Sequence, residues 1–206
     1  MNVYDFDNTI YRGDSTFQFV LWLYGHRPKT LLSLPRTLWF GLLYGLHVVP
    51  KLTFKENLYH MFVHVKDMDE ASDAFVESHM DRIKGWYIQQ HKADDVVISA
   101  SPEFMISRFC RKLGIRYVMA SVVDAQSGKY SGINCHGVEK VRRFQAMFAG
   151  KKIDEFYSDS LSDSPLAAIS QKAYVVKGDE MTVWPQEAME KAMQQMKEDT
   201  SLSDIL

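Results

Sequence analysis

At 206 residues, with 46% apolar and 24% charged side chains, the chain can bury one α/β core plus an insertion, is too short for two ordinary independent domains, and carries no compositional mark of disorder. A formal charge of -2 and a pI near 6.4 give no global attraction to nucleic acid. Cys110 and Cys135 have no paired spacing, which argues against a cysteine zinc site or a disulfide framework and fits a reducing, cytoplasmic setting.

Residues 2–5 alternate like a short strand and run into the polar cluster Asp5-Phe6-Asp7-Asn8-Thr9, with no basic start or long apolar run of a secretory signal before it. From 15 to 91 the period changes. Phe17, Val20, Leu21 and Tyr24, then Leu31, Leu34, Leu38, Leu42 and Leu46, recur at three- and four-residue spacing. The pattern predicts consecutive helices, broken near 25–28 and 49–50, with further helical segments over 54–65 and 68–90.

The most apolar stretch, residues 31–50, is interrupted by Pro35 and Arg36. What remains is shorter than the about 20 residues a membrane-spanning helix needs. Its leucine stripe, with Trp39 and Leu43, reads as the core of the helical insertion, because Arg36 is the sole basic residue between 30 and 50 and interfacial helices carry several. A lipid-touching amphipathic face is the alternative.

Strand-then-helix alternation follows. Val96-Val97-Ile98 precedes a helix with Ser101 at its N-cap and Pro102 at its first position. Residues 117–119 form a strand, and 121–136, with turn signals at Ser127-Gly128 and Ser131-Gly132, read as a small antiparallel hairpin. Helix 138–149, strand 153–157, helix 164–170, strand 173–177 and a tail helix over 185–197 complete the chain. The expected fold is α/β: a Rossmann-like parallel sheet built from 1–14 and 92–206, with an all-helical cap inserted over 15–91. In such sheets the chemistry sits beyond the carboxyl ends of the strands.

Candidate residues fall at those ends. Asp5 and Asp7 stand two apart after the first strand, where one carboxylate can serve as nucleophile and the other as proton donor, although Asp-x-Asp-Asn is also a common loop cap. Ser99 lies between a strand and a helix N-terminus, which can be a phosphate cradle or an ordinary cap. Lys140 falls near a helix start, where its charge opposes the helix dipole. Asp159 and Asp163 share one loop without His or Cys, a set suited to a hard cation such as magnesium beside phosphate.

In this order the set resembles the four motifs of the haloacid dehalogenase superfamily: Asp5-x-Asp7-x-Thr9, Ser99, Lys140 and Asp159-x-x-x-Asp163, spanning residues 2 to about 177. The resemblance implies a magnesium-dependent phosphatase. It implies that Asp5 attacks phosphorus and Asp7 protonates the leaving oxygen and later activates water. It also implies that Ser99 and Lys140 hold phosphoryl oxygens, with Thr9, Ala100 and Ser101 beside them, and that Asp5, Asp7 through its carbonyl, Asp159 and Asp163 surround Mg2+.

The helical insertion, Arg12-Gly13-Asp14-Ser15 and Ile98-Ser99-Ala100-Ser101-Pro102-Glu103 resemble the phosphoserine phosphatase branch. That likeness implies that Asp14 holds a substrate amine, while an Asp before Ser is equally a helix cap. The branch's carboxylate-binding arginine has no counterpart: an ungapped reading puts Met61 there, with Lys55 or Arg36 as substitutes. The layout also resembles phosphatidylglycerophosphatases of the C type, which join this core to a hydrophobic cap segment. The expectation is a cytoplasmic enzyme acting on a small phosphorylated metabolite, without a nucleic-acid partner. A lipid-phosphate phosphatase with peripheral membrane contact and a catalytically idle phospho-ligand-binding protein are the alternatives.

Overall fold

β1, Val3–Tyr4, is two residues long and lies at the centre of the sheet, paired in parallel with β2, Val96–Pro102, on one side and β4, Ile153–Ser158, on the other. The computed structural model describes residues 1–199. Strand order is β3-β2-β1-β4-β5-β6, with β3 at Tyr117–Ser121, β5 at Ser170–Lys177 and β6 at Glu180–Val183. The pairings among β1 to β5 are parallel; β6 runs antiparallel to β5. Val3 and Tyr4 feed opposite faces, as the two-residue period of a strand requires, and each face carries its own core.

On one face Tyr4, Phe6, Tyr11, Phe19, Phe75 and Phe109 are buried together. These residues join the sheet to α6, Glu103–Lys112, and to the helices between β1 and β2. On the other face Val3, Ile98, Phe144, Phe156, Leu166 and Met196 pack beneath α7, Val138–Met147, α8, Ser164–Ala168, and α9, Gln186–Glu198. Phe75, with its ring 6.1 Å from that of Phe109, and Phe19, 6.3 Å from Phe104, pin the helical insertion to α6 and the first core. Truncating either to Ala is expected to cost about 3–5 kcal/mol.

The insertion consists of α1, Ser15–His26, α2, Leu34–Gly45, α3, Lys51–Tyr59, α4, Met68–Ser78, and α5, Gly85–Gln90, with 3-10 turns between them. The segments expected over 54–65 and 68–90 each break: 60–64 tightens to 3-10, and 79–84 leaves the helix so that Ile83 can bridge to Tyr11.

The small hairpin expected over 121–136 is present in minimal form: about the antiparallel bridge of Val123 to Tyr130 the Asp124 amide donates to the Lys129 carbonyl at 2.8 Å and the Ser131 amide to the Val122 carbonyl at 2.9 Å, and the Asp124 carboxylate caps the turn by accepting from the Ser127 amide at 2.6 Å. Two expectations need correction. Ser101 and Pro102 prolong β2 and α6 starts at Glu103: the Ser101 hydroxyl donates to Asp7 and its oxygen accepts from Thr16 at 2.7 Å, so it turns to the acid and not to the amides of the following helix. Residues 31–50 are not core: α2 contains no buried residue, and Leu32 (72%), Leu38 (65%), Trp39 (58%) and Leu46 (62%) stand exposed. Periodicity alone could not separate a buried helix from an exposed apolar one.

Candidate active site

The loop after β1 is shaped by its backbone. Asp5 donates its amide to the Tyr157 carbonyl at 2.8 Å, continuing the strand pairing. The Phe6 carbonyl then accepts from Ile10 and Tyr11 at 3.1 and 3.0 Å, which folds the chain back on itself. Asn8 turns the corner at φ 54°, a left-handed conformation that Asn tolerates better than most residues. The turn brings the Asp5 and Asp7 carboxylates to a cleft of about 780 Å3 lined also by Asp14, Lys55, His136, Lys140, Asp159 and Asp163.

Lys140, in the first turn of α7, is fully buried and donates to Asp5 Oδ1 at 2.8 Å and to Asp163 Oδ2 at 2.7 Å. Burial by itself would lower its pKa, but Asp163 and Asp5 together outweigh that and raise it, so Lys140 stays charged. Asp163 also accepts from Ser158 Oγ at 2.8 Å through the same oxygen. Burial raises the Asp5 carboxyl to about 7; Asp163 pushes the same way and Lys140 opposes both.

Asp7 has both oxygens engaged. Oδ1 accepts from the Ser15 amide, the first residue of α1, at 2.6 Å, and Oδ2 accepts from the Ser101 hydroxyl. Burial, then the charge of Asp14, raises its pKa to about 6 despite those donors. A carboxyl held near neutral pH can give and take a proton, as acid-base work requires.

The other expected residues fall at varied distances from the chemistry. Thr9 is fully buried and its hydroxyl accepts the Asp159 amide at 2.9 Å, joining the two acidic loops. Ser99 is fully buried, and Ala100 and Ser101 line the cleft in its place. Ser101 points at Asp7, and the Ala100 carbonyl accepts from Lys55 Nζ at 3.2 Å. Asp14 caps α1, its Oδ1 accepting from the Phe17 amide at 2.8 Å, and also faces the cleft. Met61 is buried in the core, and Arg36 is engaged with Asn57 Oδ1 at 2.8 Å away from the cleft, so of the two substitutes only Lys55 lines it. His136 was not singled out from the sequence; it sits one residue before Gly137, whose positive φ of 59° starts α7, and that Gly is the signal that could have marked it.

A cation fits this arrangement. Among the described residues no three His, Cys, Asp or Glu side chains form a metal cluster by themselves. Magnesium does not demand one, since it is commonly held by one or two carboxylates with water and substrate phosphate completing the shell. Asp5 and Asp159 both line the cleft, and burial, then Asp163, raises the Asp159 pKa. Asp163 Oδ1 is buried with no hydrogen-bond partner, an orphaned acceptor beside them.

Comparison with known proteins agrees with this geometry. The family model described as haloacid dehalogenase-like hydrolase matches residues 3–168. A protein described as a probable phosphatase from Mycobacterium tuberculosis (strain ATCC 25618 / H37Rv) is 33% identical over 93 residues, covering 42% of this chain and 32% of that protein. The match thus spans about a third of that relative's length.

Among solved structures, a protein of unknown function from Bordetella pertussis Tohama I superposes with a TM-score of 0.66 at 19% identity, covering 84% of this chain and 87% of that one. A phosphoserine phosphohydrolase-like protein from Francisella tularensis subsp. tularensis SCHU S4 gives 0.51 at 14% identity, covering 84% and 86%. Cytosolic 5'-nucleotidase IIIB bound to cytidine also gives 0.51 at 14%, covering 83% and 69%. At these identities the solved structures speak to fold alone. With four fifths of its length inside one family model, the chain belongs to the haloacid dehalogenase-like hydrolase family.

Proposed function

We propose that the protein is a magnesium-dependent phosphatase that hydrolyses phosphomonoesters through an aspartyl-phosphate on Asp5. The observation that carries this reading is the division of labour between the paired acids: Asp5 rests against the Lys140 ammonium, and Asp7 is held by the Ser15 amide and the Ser101 hydroxyl. The Lys140 contact favours the anionic form of Asp5 against its burial, as a nucleophile requires, and the two donors hold Asp7 in place to exchange a proton.

In the first step a carboxylate oxygen of Asp5 forms a bond to phosphorus as the ester P–O bond breaks, and Asp7 gives its proton to the departing oxygen. In the second step Asp7 takes a proton from water, whose oxygen attacks phosphorus, releasing inorganic phosphate and restoring Asp5. Lys140 neutralises charge on Asp5 and on the transferring group, and its buried grip on Asp163 fixes its position. Asp5, the Asp7 carbonyl and Asp159, with Asp163 behind them, would hold Mg2+, which when bound supplies charge neutralisation for the phosphoryl oxygens.

Asp14 and Lys55 line the cleft together with a largely apolar wall that includes Val20, Leu38, Leu42 and Phe54. This supports a polar group next to the phosphate, as in the phosphoserine-like reading, but the buried Met61 leaves no arginine for an amino-acid carboxylate. A catalytically idle binder would have no need of two buried acids, each held by its own donors. Release of phosphate from p-nitrophenyl phosphate with magnesium and its loss with chelator tests the proposal; no turnover with any metal would overturn it.

A further inference from the structure

We propose that Lys84 is a positioning residue for the metal site: its buried ammonium holds the Asn8 peptide, and through it the Asp7 carbonyl and Asp159, in the arrangement that a bound Mg2+ needs. The inference rests on the metal-dependent reading above and adds to it a residue from the far side of the catalytic loop.

Lys84 stands where the helical insertion returns to the sheet, in extended backbone between the 3-10 turn at Met80–Arg82 and α5. Lysine is seldom buried without an acid beside it, yet Lys84 is 2% exposed and its ammonium is bound to two carbonyls, of Asn8 and Gly178. Both residues stand at left-handed turns, φ 54° and 61°, and among the described residues no backbone amide donates to either oxygen. One ammonium, with three protons, ties the two turns together. The backbone adds to the grip. The Lys84 amide donates to the Ile10 carbonyl at 2.8 Å, the Arg12 amide donates to the Arg82 carbonyl at 2.9 Å, and Tyr11 bridges Ile83, so residues 82–84 run as a strap beside residues 10–12. The catalytic loop is thereby held on both sides of its acids, by the pairing of Asp5 with Tyr157 before them and by the strap after them.

The held atoms are those that would face the cation. The Asp7 carbonyl and the Asn8 amide share one planar peptide, and that amide donates to the Gly13 carbonyl at 2.9 Å. Fixing Asn8 at its amide and at its carbonyl therefore sets where the Asp7 oxygen points. Residues 8 and 9 also reach Asp159. Burial, then Asp163, raises the Asp159 pKa while Lys140 and the Asn8 side chain counter them, and Thr9 Oγ accepts the Asp159 amide. Lys84 thus stands behind two of the groups that would hold Mg2+ without touching the cation itself.

Two effects of opposite sign compete. An ammonium near a divalent cation repels it, whereas a fixed donor geometry favours binding. The Lys84 charge is engaged with two carbonyl dipoles and is opposed by the charges of Asp179 and Asp159, so positioning is expected to win. Partners behind the ligands of a metal are typically worth about 10- to 100-fold in affinity.

The test uses the full chain, freed of metal and titrated with Mg2+ alone in a calorimeter, so that binding is read without turnover. Lys84→Met, which keeps most of the stem and removes the ammonium, is expected to raise the Mg2+ dissociation constant at least about tenfold. Hydrolysis of p-nitrophenyl phosphate should show the same split, with a much larger loss at limiting than at saturating Mg2+. A variant that melts earlier but binds Mg2+ like wild type makes Lys84 merely structural, and one that binds Mg2+ more tightly makes it only a repelling charge; either result overturns the inference and leaves the phosphatase reading intact. Lys84→Ala removes the equivalent of propylamine, and the cavity behind the loop, about 420 Å3 and lined by Asn8, Arg12, Lys177 and Gly178 besides Lys84, gives that amine a way in. Propylamine is expected to restore most of the Mg2+ affinity, and propanol, of the same shape without the charge, far less; equal rescue by both overturns the role of the ammonium. If neither variant folds, wild type decides. Mg2+ is expected to slow hydrogen exchange at the Lys84 and Arg12 amides, because coupling between strap and metal is reciprocal, and unchanged exchange overturns the inference. No Mg2+ binding by wild type strikes the metal-dependent reading and this inference together.

Discussion

Thr16, the second residue of α1, donates its hydroxyl to Ser101 Oγ at 2.7 Å, and Ser101 donates onward to Asp7. The N-terminus of the first inserted helix and the end of β2 therefore meet at the proposed acid-base. Ser101→Ala is expected to slow alkyl phosphate hydrolysis by about 10- to 100-fold, the worth of one hydrogen bond to a charged group, with a smaller loss on aryl phosphates. Because the Ser101 bond lowers the Asp7 pKa, its removal should also move the corresponding limb of the pH profile upward. An unshifted profile with equal losses on both esters would make Ser101 merely structural.

Asp7→Asn separates the paired acids. It should cost about 10²- to 10⁴-fold on alkyl phosphates and much less on aryl phosphates, whose leaving groups need little protonation. Equal loss on both would remove Asp7 from the proton-transfer role.

Metal-free protein should lose stability as pH rises. Asp5 and Asp7 have folded-state pKa values of about 7 and about 6, above the usual 3.8, so the native state holds protons that the unfolded chain has released. Their contribution is fully present below about pH 4 and fades as pH climbs through 6 and 7. In chelator, the melting temperature should fall between pH 5 and 8, and magnesium should restore most of it at the upper end. A rise over that interval without metal would contradict the burial of these carboxylates.

Lys140→Met should destabilise the protein by about 3–5 kcal/mol, because Asp5 and Asp163 would be left buried without their shared counter-charge. Lowering the pH to 5 should recover part of that loss by protonating one acid; denaturant titration at pH 5 and pH 8 checks it.

Part of the candidate site was legible because Asp5 and Asp159 each follow a strand whose apolar run is short and unambiguous, Asp5 after Val3-Tyr4 and Asp159 after β4, and both line the cleft. What escaped was set by contacts distant in sequence. Nothing local shows that Ser101 would give its hydroxyl to a carboxylate 94 residues away and so fail to cap α6. β6, a fully exposed antiparallel edge, lacks the buried alternation that marks a strand, and α2 carries a buried helix's spacing on an exposed face. Lys84 was likewise invisible: its ammonium is tied to the carbonyls of Asn8 and Gly178, bracing the Asp5–Asp7 loop from behind.

The most direct measurement is the search for phosphate bound to Asp5. Wild-type protein mixed with 32P-labelled p-nitrophenyl phosphate and quenched in acid should carry label on the peptide that contains Asp5, released by hydroxylamine as an acyl phosphate is, and Asp5→Asn should carry none and turn over nothing. Full turnover without trapped label on that peptide, or near wild-type activity in Asp5→Asn, would contradict the account.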